Sequence, residues 1–359
     1  MADRVSAKSP RRLRLSAVDV FLWAVRIAAI VFVVWGSIAS LSSGRLSAQS
    51  WRNLVVFGLA QGSVYALIAL GYTMVYGVLR FINFAHGEVF MIGGMMGYVV
   101  ADPLSRTGFW ESQPFVALAI IFVVGATAST SVAVLLERVA YRPLRSAPRL
   151  VPFITAIGAS FFLQYSVAGL FGSGFKSFPS VEPLSGAFEF LGFRVLKTQA
   201  LVIGVAVVAM LLLYVFVERT RSGKAIRAVS EDQETARLMG INVDRTISLV
   251  FAVGGAMAGI AGVLYTIVFG QINFFSGFVP GIKAFTAAVL GGIGNIGGAF
   301  VGGLVLGGVE SIGPSLVLTG LGVPAANQLK DMIAFLTLVL VLIFRPTGIL
   351  GERLAEERV

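Results

Sequence analysis

The sequence predicts an all-α polytopic membrane protein, and composition and apolar patterning lead to that fold class. Of the 359 residues, 57% are hydrophobic and 13% are charged, whereas a water-soluble domain carries about 25% charged residues. Several apolar runs are long enough to cross about 30 Å of hydrocarbon as helices. These runs show little alternation of apolar and polar residues, which argues against the strands of an outer-membrane barrel.

Apolar windows predict about eight transmembrane helices. They cover residues 18–41, 53–71, 85–101, 114–136, 150–172, 199–217, 247–269 and 328–344. The loops 137–149 and 218–246 are rich in Arg and Lys, which are retained on the cytoplasmic side of membranes. Both loops are therefore predicted to be cytoplasmic. The N- and C-termini of this multi-pass protein of the inner or plasma membrane are expected on the same side.

A glycine-rich apolar block, residues 282–322, lies between the last two predicted helices. With both termini on one side, the chain must cross an even number of times, so the block begins and ends on the outer side. It forms either a re-entrant pair of half-helices or two short spans, and the second alternative raises the total to about ten. Glycines 291, 292 and 294, with Asn295, disfavour a continuous helix in the middle of the block.

Glycines also recur four residues apart in the block, at Gly294, Gly298 and Gly302 and again at Gly303 and Gly307. Small residues at this spacing share one helix face and let neighbouring backbones approach closely. Plain close packing is one interpretation. The other is a broken helix beside a transport path, because irregular backbone at membrane depth is tolerated only inside protein or along a wet cavity.

The first 50 residues are predicted to form a basic tail and an extra N-terminal anchor helix. The apolar stretch 18–41 is preceded by Arg4, Lys8, Arg11, Arg12 and Arg14. A cleaved signal peptide is the alternative, but the apolar run is long and SIASLSSG at its end is a poor cleavage site. Residues 51–351 are then the main domain, and 352–359 form a cytoplasmic tail.

Charge and missing residue types exclude several classes of function. The net charge of +10 resides in loops and tails, and the retention of basic residues on the cytoplasmic side of the membrane explains it. No nucleic-acid partner is therefore expected. Membrane lipid is expected around the helices. With no cysteine and one histidine, neither thiol chemistry nor a converging set of metal or catalytic ligands is expected. The motif G-x-x-x-x-G-K-[ST] is absent, and RSGKA at 221–225 lacks the residues of a phosphate cradle. No cofactor is therefore expected in this chain.

Two distant stretches resemble each other. Residues 71–88 read GYTMVYGVLRFINFAHGE and residues 264–277 read LYTIVFGQINFFSG. By the predicted topology the first follows an inward helix and the second ends an outward one, which would make an inverted repeat with the translocation site between the halves. Chance similarity is the alternative, since the shared residue types are common in membrane helices and the spacing before Ile-Asn-Phe differs.

Polar residues and glycines within apolar runs are the candidates for a transport path: Gln61, Asn83, His86, Glu88, Gly294, Asn295, Gly298 and Glu310. An ionisable side chain at membrane depth is costly and faces protein or water. For His86 and Glu88, the alternatives are a structural network near a helix end and a proton relay. For Glu310 there are three alternatives: it lies close to a membrane face, its charge is satisfied by interior partners, or it contacts a substrate. Lys283 is the nearest charged residue on its N-terminal side in the sequence.

The polar segment 218–245 contains the most informative motif, Glu234-Thr235-Ala236-x-x-x-Gly240. It resembles the EAA-x-x-x-G loop of ABC-importer permeases. That resemblance implies a short coupling helix, ended by a glycine in the left-handed conformation, that docks into a cleft on an ATPase subunit. The implied coupling residues are Glu231, Glu234, Ala236 and Gly240. The family's downstream Ile-x-Leu-Pro is absent, and INVDR stands in its place.

Several long stretches together resemble the Liv-type permeases, which are the membrane subunits of ABC importers for branched-chain amino acids. They are GLAQGSVYALIALGYTMVYGVLRFINFAHGEVFMIGG at 58–94, ERVAYRPLRSAPRLVPFITAIGAS at 137–160, GKAIRAVSEDQETARLMGI at 223–241, GIKAFTAAVLGGIGNIGGAFVGG at 281–303 and LIFRPTGILG at 342–351. The resemblance covers residues 51–351. It implies a non-catalytic subunit whose partners are a second permease, identical or related, two ATP-binding subunits that use ATP and Mg²⁺, and an extracytoplasmic solute-binding protein.

Two alternatives to this function stay open from the residues. The same importer family could carry urea, short amides or other amino acids, because no residue in the sequence specifies a side chain. An ion-coupled secondary transporter would instead depend on titration of His86, Glu88 or Glu310 during turnover.

Overall fold

The computed structural model describes residues 17–148, 150–180, 184–345 and 347–351, so the basic tail 1–16 and the tail 352–359 lie outside it. The α-helices of the described residues are α1 Ala17–Ser42, α2 Ala48–Leu79, α3 His86–Arg106, α4 Phe109–Ser112, α5 Pro114–Leu136, α6 Leu150–Phe171, α7 Lys197–Arg219, α8 Arg221–Glu231, α9 Gln233–Leu238, α10 Val243–Phe269, α11 Phe278–Gly291, α12 Ile296–Gly313 and α13 Lys330–Phe344. Four short strands accompany them: β1 Lys176–Ser177, β2 Ala187–Phe190, β3 Phe193–Leu196 and β4 Gln271–Ile272. The chain is therefore all-α apart from these strands.

The long helices run between two ends of one bundle. We call one the polar-loop end, formed by 80–85, 137–148, 220–242, 345 and 347–351. We call the other the hairpin end, formed by 107–113, 172–180, 184–196, 270–277 and 319–329. At the polar-loop end, Arg145 pairs with Glu137 and, at 2.6 Å, with Asp244. At the hairpin end, β1 pairs with β4 and β2 pairs with β3, both antiparallel. The two basic loops thus lie at one end, as their charge predicted.

Both described chain ends lie at the polar-loop end. Arg26 in α1 donates a hydrogen bond to the carbonyl of Ile343 near the end of α13, at 2.7 Å. Further along α1, the N–H of Gly320 donates to the hydroxyl of Ser40 at the hairpin end. α1 and α13 therefore pass in opposite directions at the edge of the bundle, and little of either helix is buried.

Within the residues that the structure describes, eight helical segments are long and apolar enough to cross a membrane, which confirms the predicted polytopic fold. They are Val20–Ser42, Ala48–Leu79, Pro114–Leu144, Leu150–Phe171, Lys197–Arg219, Val243–Phe269, Ile296–Leu318 and Ala326–Phe344. One member of the predicted set forms a helix but does not meet this length and hydropathy criterion. The window 85–101 forms α3, but the polar ends of that helix lower its hydropathy, and the segment 296–318 stands in the set instead.

The glycine-rich block consists of one short and one long helix. α11 begins beside α3, where Gly281 packs on Gly87, and it ends at the polar-loop end, where the N–H of Leu350 donates to the carbonyl of Gly291 at 3.0 Å. α12 then returns to the hairpin end. The predicted break falls between Gly291 and Ile296. Of the two helices, only the segment that contains α12 is long enough to count among the eight candidate spans.

α2 lies at the centre of the bundle and packs closely against α12 through glycines. A Cβ on Gly62 or Gly307 would collide with the backbone of the facing helix, and Gly303 packs on Ala66. α10 crosses α3 in the same manner at Gly93 and Gly259. Because lipid offers no hydrophobic drive for helix association, such close backbone contact is what holds membrane helices together.

Candidate transport path and coupling segment

A buried ionic group joins four helices, and we call it the Lys283 cluster: Gln61 and Tyr65 of α2, Lys283 of α11, Glu310 of α12 and Asp331 of α13. The Lys283 Nζ lies 2.6 Å from Glu310 Oε1 and 2.6 Å from Asp331 Oδ1. The amide of Gln61 donates to the same Glu310 oxygen at 2.8 Å and to the Tyr65 hydroxyl at 2.7 Å. The ammonium group is thereby shared between two carboxylates from two different helices.

Burial determines the energetic role of this cluster. The Glu310 side chain is 0% exposed and that of Lys283 4% exposed, whereas Asp331 is 48% exposed. A buried charge without a partner is unfavourable by several kcal/mol, so each of the two buried groups requires the other. The sequence allowed three interpretations of Glu310. In the structure its Oε1 has interior partners on α2 and α11, and its Oε2 has no hydrogen-bond partner.

Glu88 is another fully buried acid, and it lacks an ionic partner among the described residues. It lies in the first turn of α3 with 0% exposure. Its Oε1 accepts long hydrogen bonds from Ser160 at 3.3 Å and from Gln164 at 3.4 Å, both in α6. Its Oε2 has no hydrogen-bond partner and packs at Gly277, just before α11 begins. The positive ends of two helix dipoles therefore face this carboxylate.

His86 acts as a packing wedge between the two long central helices. Its ring packs directly on Gly71 of α2, where an added Cβ would collide with it. The ring also lies beside Gly254 of α10. The ring of Tyr72 packs edge-on against it, with centroids 4.8 Å apart. Gly71 lies eight residues before the end of α2, or about 12 Å along a helix, so His86 is located inside the bundle.

Asn83 organises the irregular segment 80–85 between α2 and α3. Its side-chain oxygen accepts a hydrogen bond from the Tyr141 hydroxyl at 2.6 Å and from the backbone N–H of Ala85 at 3.1 Å. The residue is 3% exposed. Asn83 therefore fixes the start of α3 to the polar-loop end of α5, which is the role expected of a structural network.

The remaining path candidates form the turn between α11 and α12. Asn295 caps α12 by accepting a hydrogen bond from the N–H of Gly298 at 2.9 Å, and its amide donates to the carbonyl of Leu350 at 3.0 Å. Gly294 has a φ of 97°, in the left-handed region that favours glycine. Gly298 packs against the backbone of Gly291. This turn is tied to the segment that follows α13.

The eight path candidates thus fall into three groups within one chain: the Lys283 cluster, the start of α3 and the α11–α12 turn. Sequence reasoning missed Tyr65, Ser160 and Asp331, which complete the first two groups. Asp331 had a usable signal, because a buried Lys283 with one acid nearby in the chain requires counter-charges from other helices.

The two similar stretches lie in helices that run in opposite directions. Phe57 of α2 packs edge-on against Phe269 of α10, with ring centroids 6.5 Å apart, and further along the same pair Gly71 faces Gly254. Each long helix is followed by an irregular segment and then by a helix that begins inside the bundle, α3 or α11. These starting points meet where Gly87 contacts Gly277 and Gly281. This is the arrangement that an inverted repeat would produce.

The coupling motif forms a separate short helix at the polar-loop end. Asp232 caps α9, its carboxylate accepting hydrogen bonds from the N–H groups of Glu234 at 2.8 Å and Thr235 at 3.2 Å. Hydrogen bonds from Thr235 and the backbone lower the pKa of the Asp232 carboxyl below its usual range. Gly240 has a φ of 82° and follows the helix, as expected for a left-handed glycine stop.

The faces of α9 differ in exposure. Glu234 and Glu231 are exposed, and so are the apolar side chains of Leu238 and Met239, at 83% and 78%. Ala236 is instead 3% exposed and packs into the core. Two exposed apolar side chains on a small polar helix are typical of a docking surface, whereas Ala236 holds the helix in place.

Comparison with known proteins identifies the family. Residues 54–342 match the family described as branched-chain amino acid transport system / permease component. The high-affinity branched-chain amino acid transport system permease protein BraD of Pseudomonas aeruginosa is 44% identical over 306 residues, covering 84% of this chain and 96% of BraD. The corresponding protein LivH of Escherichia coli K12 is 44% identical over 303 residues, with 84% and 95% covered.

A more distant relative has the same description. The probable branched-chain amino acid transport permease protein LivH of Methanocaldococcus jannaschii is 28% identical over 300 residues, covering 80% of this chain and 89% of the relative. The chain belongs to the family of branched-chain amino acid transport permeases.

Proposed function

We propose that this chain is the membrane-spanning, non-catalytic permease subunit of an ATP-driven importer of branched-chain amino acids. The single observation that carries the proposal is membership of the permease family over most of the chain. The cargo is inferred from the named relatives. A zwitterion with an aliphatic body requires a path with modest polarity and small residues, and the glycine-lined crossings of α2, α10 and α12 are compatible with that requirement.

The coupling helix α9 is the proposed contact with the ATP-binding subunits. Its exposed Leu238 and Met239 would insert into an apolar cleft, and the exposed acid Glu234 would select a basic rim. Gln233 donates to the carbonyl of Val78 at the end of α2 at 2.7 Å. Movement of α9 would therefore reach the central helix through a direct hydrogen bond.

The assembled importer would contain a second permease subunit, two ATP-binding subunits and an extracytoplasmic solute-binding protein. The polar-loop end would be cytoplasmic, because the basic loops lie there, and the hairpin end would face the binding protein. His86, wedged between α2 and α10, would act as the fulcrum at which the two halves rock during alternating access.

Reconstitution tests the proposal. Proteoliposomes with the full importer and internal ATP should take up leucine in the presence of the binding protein, and the permease alone should show no uptake under an ion gradient. Gradient-driven uptake by the isolated permease would contradict the proposal and favour the secondary-transporter alternative. If the full importer takes up urea or acetamide and does not take up leucine, the chain would still be an importer subunit, but its cargo would be a short amide.

Charge reversal at α9 tests the coupling contact. Glu234→Lys should uncouple ATPase stimulation from uptake while the protein still inserts, because Glu234 is exposed and makes no side-chain hydrogen bond within the described residues. Lys224→Glu on the neighbouring α8 is the control, since it also reverses one charge, in the opposite sense, at another exposed site. Normal coupling in Glu234→Lys would place the docking contact elsewhere.

A further inference from the structure

The hairpin end contains an open cavity that none of the path candidates lines, and we call it the amide crevice. It has a volume of about 480 Å³ and lies between the start of α2, strand β3, the start of α7 and the segment that follows α12. Pockets that hold small ligands measure about 300–1,000 Å³. The crevice is therefore large enough for an amino acid with some of its water.

The lining combines hydrogen-bonding groups with apolar walls. Asn53, Gln199 and Asn327 contribute side-chain amides, and Leu54 and Phe57 contribute apolar surface. Gln199 is 8% exposed, and its oxygen accepts the N–H of Leu196 at 3.1 Å. Because its oxygen is engaged by Leu196, the amide nitrogen is the group that Gln199 has left to offer a ligand. Fixed amide donors above an apolar wall suit a ligand with one anionic end and one aliphatic end.

The charge at the rim is positive. Arg194 of β3 lines the crevice, and Arg52 of α2 packs against Gly192 at the turn of the β2–β3 hairpin. The nearest acid on the hairpin, Glu189, is the cross-strand neighbour of Arg194. A guanidinium group binds a carboxylate through two parallel hydrogen bonds, so this rim favours a carboxylate ligand over a cation.

The crevice is continuous along α2 with the Lys283 cluster. Asn53, Phe57, Gln61 and Tyr65 recur every four residues and so share one face of the helix. Phe57 lies between the two groups and packs on Phe269. A ligand in the crevice would therefore rest above the aromatic pair that separates it from the buried charges.

We propose that the amide crevice is a receiving site for a small carboxylate with an apolar body, the chemical class of a branched-chain amino acid, and that Arg194 binds its carboxylate. The crevice would hold the substrate before it passes Phe57. This inference rests on the proposed function for the identity of the substrate and for the outward orientation of the hairpin end.

Substituted cysteines test the site, because the chain has no cysteine of its own. Ser50→Cys and Ser315→Cys each place one thiol on a different wall of the crevice. Ser112→Cys, exposed at the same end in α4, is the control. The assembled importer in sealed right-side-out vesicles is treated with a membrane-impermeant thiol reagent, with and without L-leucine and without ATP.

L-leucine at ten times its dissociation constant should slow labelling of both crevice thiols by about tenfold, because only the unoccupied site reacts. Labelling of Ser112→Cys should not change. Isoamylamine, which lacks the carboxylate, should give no protection. Adding Arg194→Gln to Ser50→Cys should remove protection by leucine and leave the labelling rate without leucine unchanged.

Two results would overturn the proposal. Crevice thiols that label at the same rate with saturating leucine would show that the crevice does not bind the substrate. Thiols that never label from outside would show that the crevice is not open to the outer side. ATP-driven leucine uptake by the same vesicles is measured in parallel, so the proposed function can hold while this site fails, and loss of uptake in every variant and in the parent would count against the function itself.

Discussion

Two buried acids of the bundle, Glu310 and Glu88, differ in their ionic partners. Glu310 faces an ammonium group at 2.6 Å and an amide donor at 2.8 Å, whereas Glu88 has only long hydrogen bonds from neutral side chains. Both side chains are buried, and in both the Oε2 atom has no hydrogen-bond partner. The Glu310 region is thus an ionic joint between helices, and the Glu88 region holds a carboxylate without a counter-charge among the described residues, at the meeting point of two helix starts.

This difference separates a structural role from a transport role. A charge that already has its partner holds helices together, and removing the partner is strongly unfavourable. A carboxylate stabilised only by helix ends and neutral donors remains free to interact with a passing ammonium group. Four substitutions test the distinction, and their expected effects decrease from the first to the last.

The largest effect is expected when Glu310 loses its partner. Lys283→Met should lower the free energy of unfolding in detergent by about 3–5 kcal/mol, because it leaves a buried carboxylate without a counter-charge. The double variant Lys283→Met with Glu310→Gln should recover much of that loss, since no buried charge then remains. Lys330 Nζ lies 3.9 Å from Glu310 Oε1. A single variant as stable as the parent would show that Lys330 moves in to replace Lys283 as the counter-charge.

That pairing marks the limit of what the sequence predicts. The polytopic fold, the break at Gly291–Asn295 and the capped helix before Gly240 follow from local properties, namely apolar length, glycine content and a capping residue. Which acid meets Lys283 depends on how α11, α12 and α13 pack. The same reason applies to the helix predicted at 85–101, because burial of the first turn of α3 within the bundle compensates for the low hydropathy of its polar residues.

The second test removes the amide donor of the Glu310 region. Gln61→Met keeps the side-chain length and deletes the hydrogen bonds to Glu310 and Tyr65, so the free energy of unfolding should fall by about 1.5–3 kcal/mol. Gln49→Met on the same helix is the matched control, because Gln49 bonds only the exposed Asn53. An equal change in both variants would mean that the Gln61 amide adds nothing specific to the cluster.

The third test moves the helix that carries Glu310. A Cβ on Gly307 would meet the backbone of Gly62, so Gly307→Ala should separate α12 from α2 and lower the free energy of unfolding by about 1–3 kcal/mol. Its neighbour Gly308 faces open space. Gly308→Ala should be neutral or slightly stabilising, because alanine is the better helix former. Similar thermal stability of the two variants would contradict the close α2–α12 crossing.

The smallest effect on stability is expected at Glu88, and it is the most informative about function. Glu88→Gln keeps the shape and the bonds to Ser160 and Gln164 while removing the buried charge, so the free energy of unfolding should change by less than about 1 kcal/mol or rise. If the carboxylate receives the ammonium group of the cargo, ATP-driven uptake of leucine should nevertheless fall.

A loss of stability as large as that of Lys283→Met would reveal a cationic partner for Glu88 and remove the contrast with Glu310. Unchanged uptake together with unchanged stability would instead assign the Glu88 carboxylate no part in transport, and the helix starts at Gly87 and Gly277 would then be a packing feature alone.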